Sequence, residues 1–139
     1  MTAQSPVSVL GEDECWQLLS SVTLGRLVTT IGTRLELFPV NFVVQHRTVL
    51  FRTAEGTKLI STLFNDRVLF EADDHNLVGG WSVIVRGEPQ LLETPAEIAE
   101  AERGQLLSWI ATTKRRFVRI RPKEISGRRF VFGSEPEDM

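Results

Sequence analysis

The chain has no tyrosine, one cysteine and two histidines in 139 residues, and each scarcity removes a class of explanation. A single cysteine, Cys15, can form neither an intramolecular disulfide nor a cysteine-rich zinc site. His46 and His75 both fall in polar links, and no Ser–His–Asp order stands out as a nucleophilic triad. The net charge of −2 gives no global attraction to nucleic acid or to an anionic membrane. No run approaches the ~18 uncharged apolar residues of a membrane span. The start, MTAQSPVSVLGEDE, has neither the basic nor the apolar part of a signal peptide. These absences lead us to expect a cytoplasmic protein that engages neither membrane nor nucleic acid. Side-chain acids, bases and nucleophiles placed to react are also few, so demanding chemistry would have to come from a bound cofactor.

What is present suits a folded domain. Hydrophobic residues make up 42% and charged residues 24% of the chain. A chain of this length buries roughly 65–70% of the surface exposed when unfolded. Residues 1–8 read as a flexible terminus, 9–133 as a single domain and 134–139 as a charged tail. In GEDECWQLLSSV, three acids suit the positive end of a helix, and Cys15, Trp16, Leu18, Leu19 and Val22 recur at helical spacing. RLVTTI, LELFPVNFVV and TVLFRT are strand-like, joined by hairpin-length links at Gly32-Thr33-Arg34 and Gln45-His46-Arg47. Thr57 to Asn65 reads as a short helix, RVLFEA as a strand and DDHNLVGG as a loop, while WSVIVRGEPQLL reads as two strands broken at Gly87–Pro89. Thr94 and Pro95 open a further helix, with Ile98, Ala101, Leu106, Trp109 and Ile110 inward. RFVRIRP and GRRFVF close the chain as strands. The expected fold is mainly β, an antiparallel barrel of six or seven strands with about three short peripheral helices.

Four segments carry chemical interest. FRTAEGTKL, residues 51–59, gathers Arg52, Thr53, Thr57 and Lys58 at a strand-to-helix junction. Backbone amides at a helix start, a hydroxyl and two cations make an anion trap, and phosphate is its usual guest. The segment lacks the glycine spacing of a P-loop, and a solvated turn is the plainer alternative. LFPVNF places Pro39 and Asn41, both poor strand residues, inside an apolar strand. That marks a sheet edge, a bulge or a place where a ligand lies against backbone. Trp81 and Ser82 enter a strand from a glycine pair, where the indole is either a core residue or a platform for a planar ligand. Glu71, Asp73, Asp74 and His75 crowd one strand end, most simply as a solvated acidic loop. The basic stretch 114–129 holds eight of the sixteen Lys and Arg, and it is expected to face an acidic element such as Glu97, Glu100 and Glu102 or to border a cofactor cleft.

The order LGRLVTT, FPVNFVV, FRTAEGTKL, VLFEADD, GWSVIVRG and VRIRPKEISGRRF resembles the pyridoxamine 5'-phosphate oxidase-like proteins, in the branch close to nitroimidazole-resistance proteins. The resemblance covers about residues 8 to 133. It implies a split β-barrel of Greek-key type and a homodimer with FMN in clefts between the two barrels. Pro39, Val40, Asn41 and Phe42 would lie along the isoalloxazine ring, largely through backbone. Arg52, Thr53, Thr57 and Lys58 would hold the ribityl phosphate, and Trp81 and Ser82 would come from the partner or line the pocket mouth. The implied activity is a flavin-dependent oxidoreduction of a small organic substrate, with no catalytic side chain assigned. Alternatives within the family are the deazaflavin F420 as cofactor, or a non-catalytic flavin- or haem-binding module. The paired Arg and His of the vitamin B6 oxidase tail are not recognisable, since GRRF has no histidine nearby.

Overall fold

In the computed structural model, residues 5–54, 67–104 and 115–133 are described. Alternating apolar and polar residues produce long hairpin-linked strands. They run β1 (Val7–Val9), β2 (Leu24–Ile31), β3 (Arg34–Gln45), β4 (Thr48–Ala54), β5 (Val68–His75), β6 (Gly79–Leu91) and β7 (Arg115–Val131). Two helices are described, α1 (Glu12–Leu19) and α2 (Pro95–Glu102). All neighbouring strands pair antiparallel, in the order β1-β7-β4-β3-β2-β5-β6. A further β7–β6 pairing closes β2 to β7 into a barrel. The long β7 makes closure possible: its first part pairs with β4, and from Val118 onward it pairs with β6.

Period-two alternation sends one face of each strand inward. Leu27, Phe42, Val49, Phe51, Phe70, Val83, Val85, Val118 and Ile120 fill the interior, where Phe42 and Phe70 meet edge to face at 4.7 Å. Cys15, Trp16 and Leu19 of α1 join this core. A smaller cluster of Leu50, Leu92, Ala101 and Phe117 forms where α2 covers the outside of the barrel.

The β3–β4 link is a two-residue turn with positive φ at both His46 (50°) and Arg47 (53°). That conformation matches the twist of a hairpin but is unusual for residues other than glycine, asparagine or aspartate. A buried network supports it. The Thr48 hydroxyl donates to the Gln45 carbonyl at 2.6 Å. The Arg119 guanidinium donates to Thr48 Oγ1 at 2.6 Å and to Gln45 Oε1 at 2.8 Å. Gln45 Nε2 then donates to the Glu100 carbonyl in α2 at 2.8 Å. Arg121 Nε donates to Gln90 Oε1 at 2.8 Å, and Gln90 Nε2 reaches Glu97 at 3.4 Å. Part of the basic stretch therefore does face the acidic helix, through intervening amides.

Three readings change. Val7–Val9, whose first two residues fall in the stretch expected to be flexible, pairs with Phe130–Arg128. This three-residue strand is exposed throughout, so it carries no hydrophobic period to reveal it. The expected break at Gly87–Pro89 is absent, because Glu88 and Pro89 keep pairing with Arg121 and Ile120. The chain instead takes up a register shift between Arg86 and Gly87. RFVRIRP and GRRFVF are likewise one strand. The expected helix from Thr57 to Asn65 lies outside the described residues.

Candidate cofactor cleft

LFPVNF sits in β3 with alternate residues turned in. Val40 and Phe42 are buried in the core, whereas Leu37 and Pro39 are exposed and Asn41 half-buried. The Phe42 amide donates to the Thr23 carbonyl at 3.0 Å. Alternation along an antiparallel ladder then points the Pro39 nitrogen away from β2. β4 is in register with β3 only from Phe42 to Gln45. Among the described residues, the stretch from Arg34 to Asn41 thus has a strand partner on one side alone. Proline costs no ladder bond there, which is why this strand tolerates it.

The β3–β4 register ends at the Phe42–Phe51 pair, and Asn41 and Arg52, each one residue beyond it, both fall on the outer face. Arg52 is half-buried, and its guanidinium carbon lies 4.8 Å from the centre of the Phe117 ring. Its Nε is buried and, among the described residues, has no hydrogen-bond partner. A buried donor left unpaired costs about 1–3 kcal/mol, a cost that a hydrogen-bond acceptor at this spot would relieve. Thr53, the next residue, is buried on the inner face. Thr57 and Lys58 lie outside the described residues.

The outer face continues across β2, β5 and β6. Arg26 stands opposite Pro39 on one side and Glu71 on the other, Leu24 is opposite Asn41, and Ser82 is opposite Asp73. Arg26 Nη1 donates to Glu71 Oε1 at 2.8 Å and to Asp73 Oδ2 at 3.1 Å. Burial pushes the Glu71 carboxyl up to about 7. Its hydrogen bond to Asp73 and the Asp73 charge add to this, and Arg26 opposes it. The strand-end acids thus form an arginine-bridged pair. Among the described residues no group of three potential metal ligands gathers. Sequence reasoning missed Arg26 and the Phe117 ring under Arg52. The outward positions of RLVTT and VLFEADD were the available signal for the first.

Trp81 turns inward and is 7% exposed, so within one chain it is a core residue. Beside it, a cleft of about 260 Å³ is lined by His75, Trp81, Arg129 and Phe130 among others. Of the ten residues singled out, the structure places Pro39, Asn41, Arg52 and Ser82 on the outer face. It places Val40, Phe42, Thr53 and Trp81 inside, where Val40 and Phe42 could meet a ligand only through backbone.

Residues 11–129 match the family model described as pyridoxamine 5'-phosphate oxidase. The chain belongs to the pyridoxamine 5'-phosphate oxidase family. An uncharacterised Mycobacterium tuberculosis member is 60% identical over 95 residues, covering 68% of this chain and 86% of that protein. A Mycobacterium smegmatis structure described as an FAD binding protein is 58% identical, with a TM-score of 0.83, covering 91% of this chain and all of that one. A Corynebacterium glutamicum structure, described as a candidate pyridoxamine 5'-phosphate oxidase, is 40% identical with a TM-score of 0.86 and covers 96% of this chain and all of that one. The fold of this pyridoxamine 5'-phosphate oxidase family member is the split barrel.

Proposed function

We propose that the chain is an FMN-dependent oxidoreductase acting on a small organic substrate as a homodimer, with the flavin in clefts between two barrels. The observation that carries this reading is half-buried Arg52, whose buried Nε has no hydrogen-bond partner among the described residues, beside the edge of β3. Arg52, Thr57 and Lys58 would hold the ribityl phosphate. Thr53 would contribute main chain, because its side chain is buried. The Pro39–Phe42 backbone would orient the ring, and Ser82, on the outer face, would approach the flavin of the other copy. Trp81 would line the pocket mouth. When bound, the flavin supplies the hydride and electron transfer. The chain's own residues anchor, orient and exclude water, and the Glu71 carboxyl is able to hold a proton near neutral pH.

The dimer reading is supported by apolar residues left on the outer face of β2 and β3. Leu24, Leu35 and Leu37 are 38%, 76% and 56% exposed, and clusters of this kind mark interaction surfaces. Light scattering tests it: the native chain should weigh twice the monomer, and Leu37→Glu should shift it toward monomer.

A second cofactor, FAD, is favoured by the description of the 58% identical Mycobacterium smegmatis protein. FAD carries a phosphate at the same place on its ribityl chain, so the Arg52 anchor suits both. Release of the chromophore by heat, followed by chromatography, separates FMN, FAD, F420 and haem. A colourless protein that takes up none of them overturns the proposal. Arg52→Ala and Lys58→Ala should each weaken flavin binding by about 1.5–3 kcal/mol, the value of a charge-assisted contact. Unchanged affinity in both would remove the phosphate assignment.

A further inference from the structure

The outer face holds a second cleft, of about 400 Å³, that the flavin reading does not use. Its floor is apolar: Val28 and Leu69 stand opposite each other on β2 and β5, and Leu35 forms part of the rim. Three cations line it, Arg67, Arg86 and Lys123, and among the described residues no carboxylate does. Such a volume suits a ligand of modest size, and ligand pockets characteristically combine an apolar body with a few convergent polar groups.

The backbone is specialised at this spot. Arg86 pairs with Glu124 and Gly87 with Pro122, so Lys123 is the extra residue of a β-bulge. A bulge bends the strand and re-aims side chains, and bulges concentrate beside functional sites. Here it brings the Lys123 and Arg86 side chains to the same cleft. Gly87 makes the close approach possible, since a Cβ there would lie 2.3 Å from the Arg121 carbonyl oxygen. Lys123 has a partner outside the cleft, Glu88 at 3.4 Å. Among the described residues no ion pair engages Arg67 or Arg86.

We propose that this cleft binds a small amphipathic carboxylate, with its apolar body over Val28 and Leu69 and its carboxylate held by Arg86, Lys123 and Arg67. Two arginine forks and a lysine suit a planar carboxylate, which accepts paired N–H donors. The occupant is an organic acid because a bare inorganic anion would leave the apolar floor exposed. The proposal uses none of the residues assigned to the cofactor, and it shares Leu35, on the rim, with the proposed dimer surface.

The test is a fluorescence titration of the purified full chain with 2-naphthoate, and in parallel with its uncharged methyl ester. The acid should bind at least about tenfold more tightly than the ester, with added salt weakening the acid alone. Arg86→Ala and Lys123→Ala should each remove most of that preference, and the double variant all of it. Both positions are exposed, and far-UV circular dichroism checks that the variants fold. Equal binding of acid and ester, or variants that bind the acid like the native chain, would overturn the proposal. So would loss of the dimer in the double variant with no change in naphthoate affinity, which would assign the cleft to a second copy of the chain.

Discussion

Replacing Arg119 by Met tests whether the buried polar network organises one end of the barrel. Arg119 is 6% exposed and Thr48 is 7% exposed, so neither end of their hydrogen bond has ready access to water. Burial draws the guanidinium pKa below its usual value. The more distant Glu100 and Glu97 act against that shift, and Arg121 adds to it. Two charge-assisted hydrogen bonds of about 1.5–3 kcal/mol each amount to about 3–6 kcal/mol. Methionine relieves the burial of an ion, which returns some of this, but it strands Thr48 Oγ1 and Gln45 Oε1 with one partner fewer. The expected net loss is about 2–3 kcal/mol. With a urea slope of about 2 kcal/mol per molar, the unfolding midpoint should fall by about 1–1.5 M. Arg119→Lys, which keeps the charge but cannot fork to both acceptors, should fall about half as far. Arg121→Met, at an exposed site with one hydrogen bond to Gln90, should move little. Hydrogen exchange at the His46–Thr48 turn should quicken in the Met variant more than elsewhere. A midpoint shift under about 0.3 M would refute the reasoning, because desolvation would then balance the hydrogen bonds.

Three further outcomes follow from local geometry. Glu71, with a native pKa near 7 against an ordinary value of 4.5, binds more protons folded than unfolded between those pH values. Stability should therefore fall as pH rises from about 4.5 to 7, by at most about 3 kcal/mol. Glu71→Gln should flatten that slope in urea melts, and an unchanged slope would assign the effect elsewhere. At Gly127 an added Cβ would lie 2.7 Å from Cys15 Sγ and 3.1 Å from Leu10 Cδ1. Gly127→Ala should thus destabilise by about 1–3 kcal/mol through overpacking, and Cys15→Ala should partly restore it; simple additivity in thermal melts would contradict this contact. Thr94 caps α2 reciprocally with Glu97, so Thr94→Ala should cost about 1 kcal/mol in the same melts, and no loss would show that the cap is dispensable.

The sequence made legible whatever rests on period and local punctuation. β3 shows why: Val40 and Phe42 occupy inward slots and Pro39 and Asn41 outward ones, so alternation alone separates core from candidate site. The Thr94–Pro95 helix start was readable for the same reason, since a cap and its partner lie three residues apart. What escaped was set by closure of the barrel. No local pattern says that Arg26 meets Glu71, that Phe117 lies under Arg52, or that a run through Gly87, Pro89 and Pro122 stays paired. The bulge at Lys123 absorbs a mismatch that, read locally, looks like the end of a strand.

Closure also explains why chemistry gathers on one surface. The inner face of the barrel is filled by large apolar side chains. Outward positions are left for function, and of those on β4 Leu50 is already covered by α2 whereas Arg52 is not part of that cluster. Among the described residues, the outer face of β2, β3 and β5 keeps exposed leucines, a strand edge open over Arg34–Asn41 and an arginine-bridged acid pair, and β4 adds Arg52 with its unpaired buried nitrogen. An isolated barrel gains nothing in stability from exposed leucines or an orphaned donor. Both become favourable once a second barrel and an anionic cofactor cover them, so an assembled, loaded form should resist urea better than the stripped chain. The prediction is a midpoint that rises with flavin and with protein concentration together. A midpoint indifferent to both would count against the proposed dimer and cofactor.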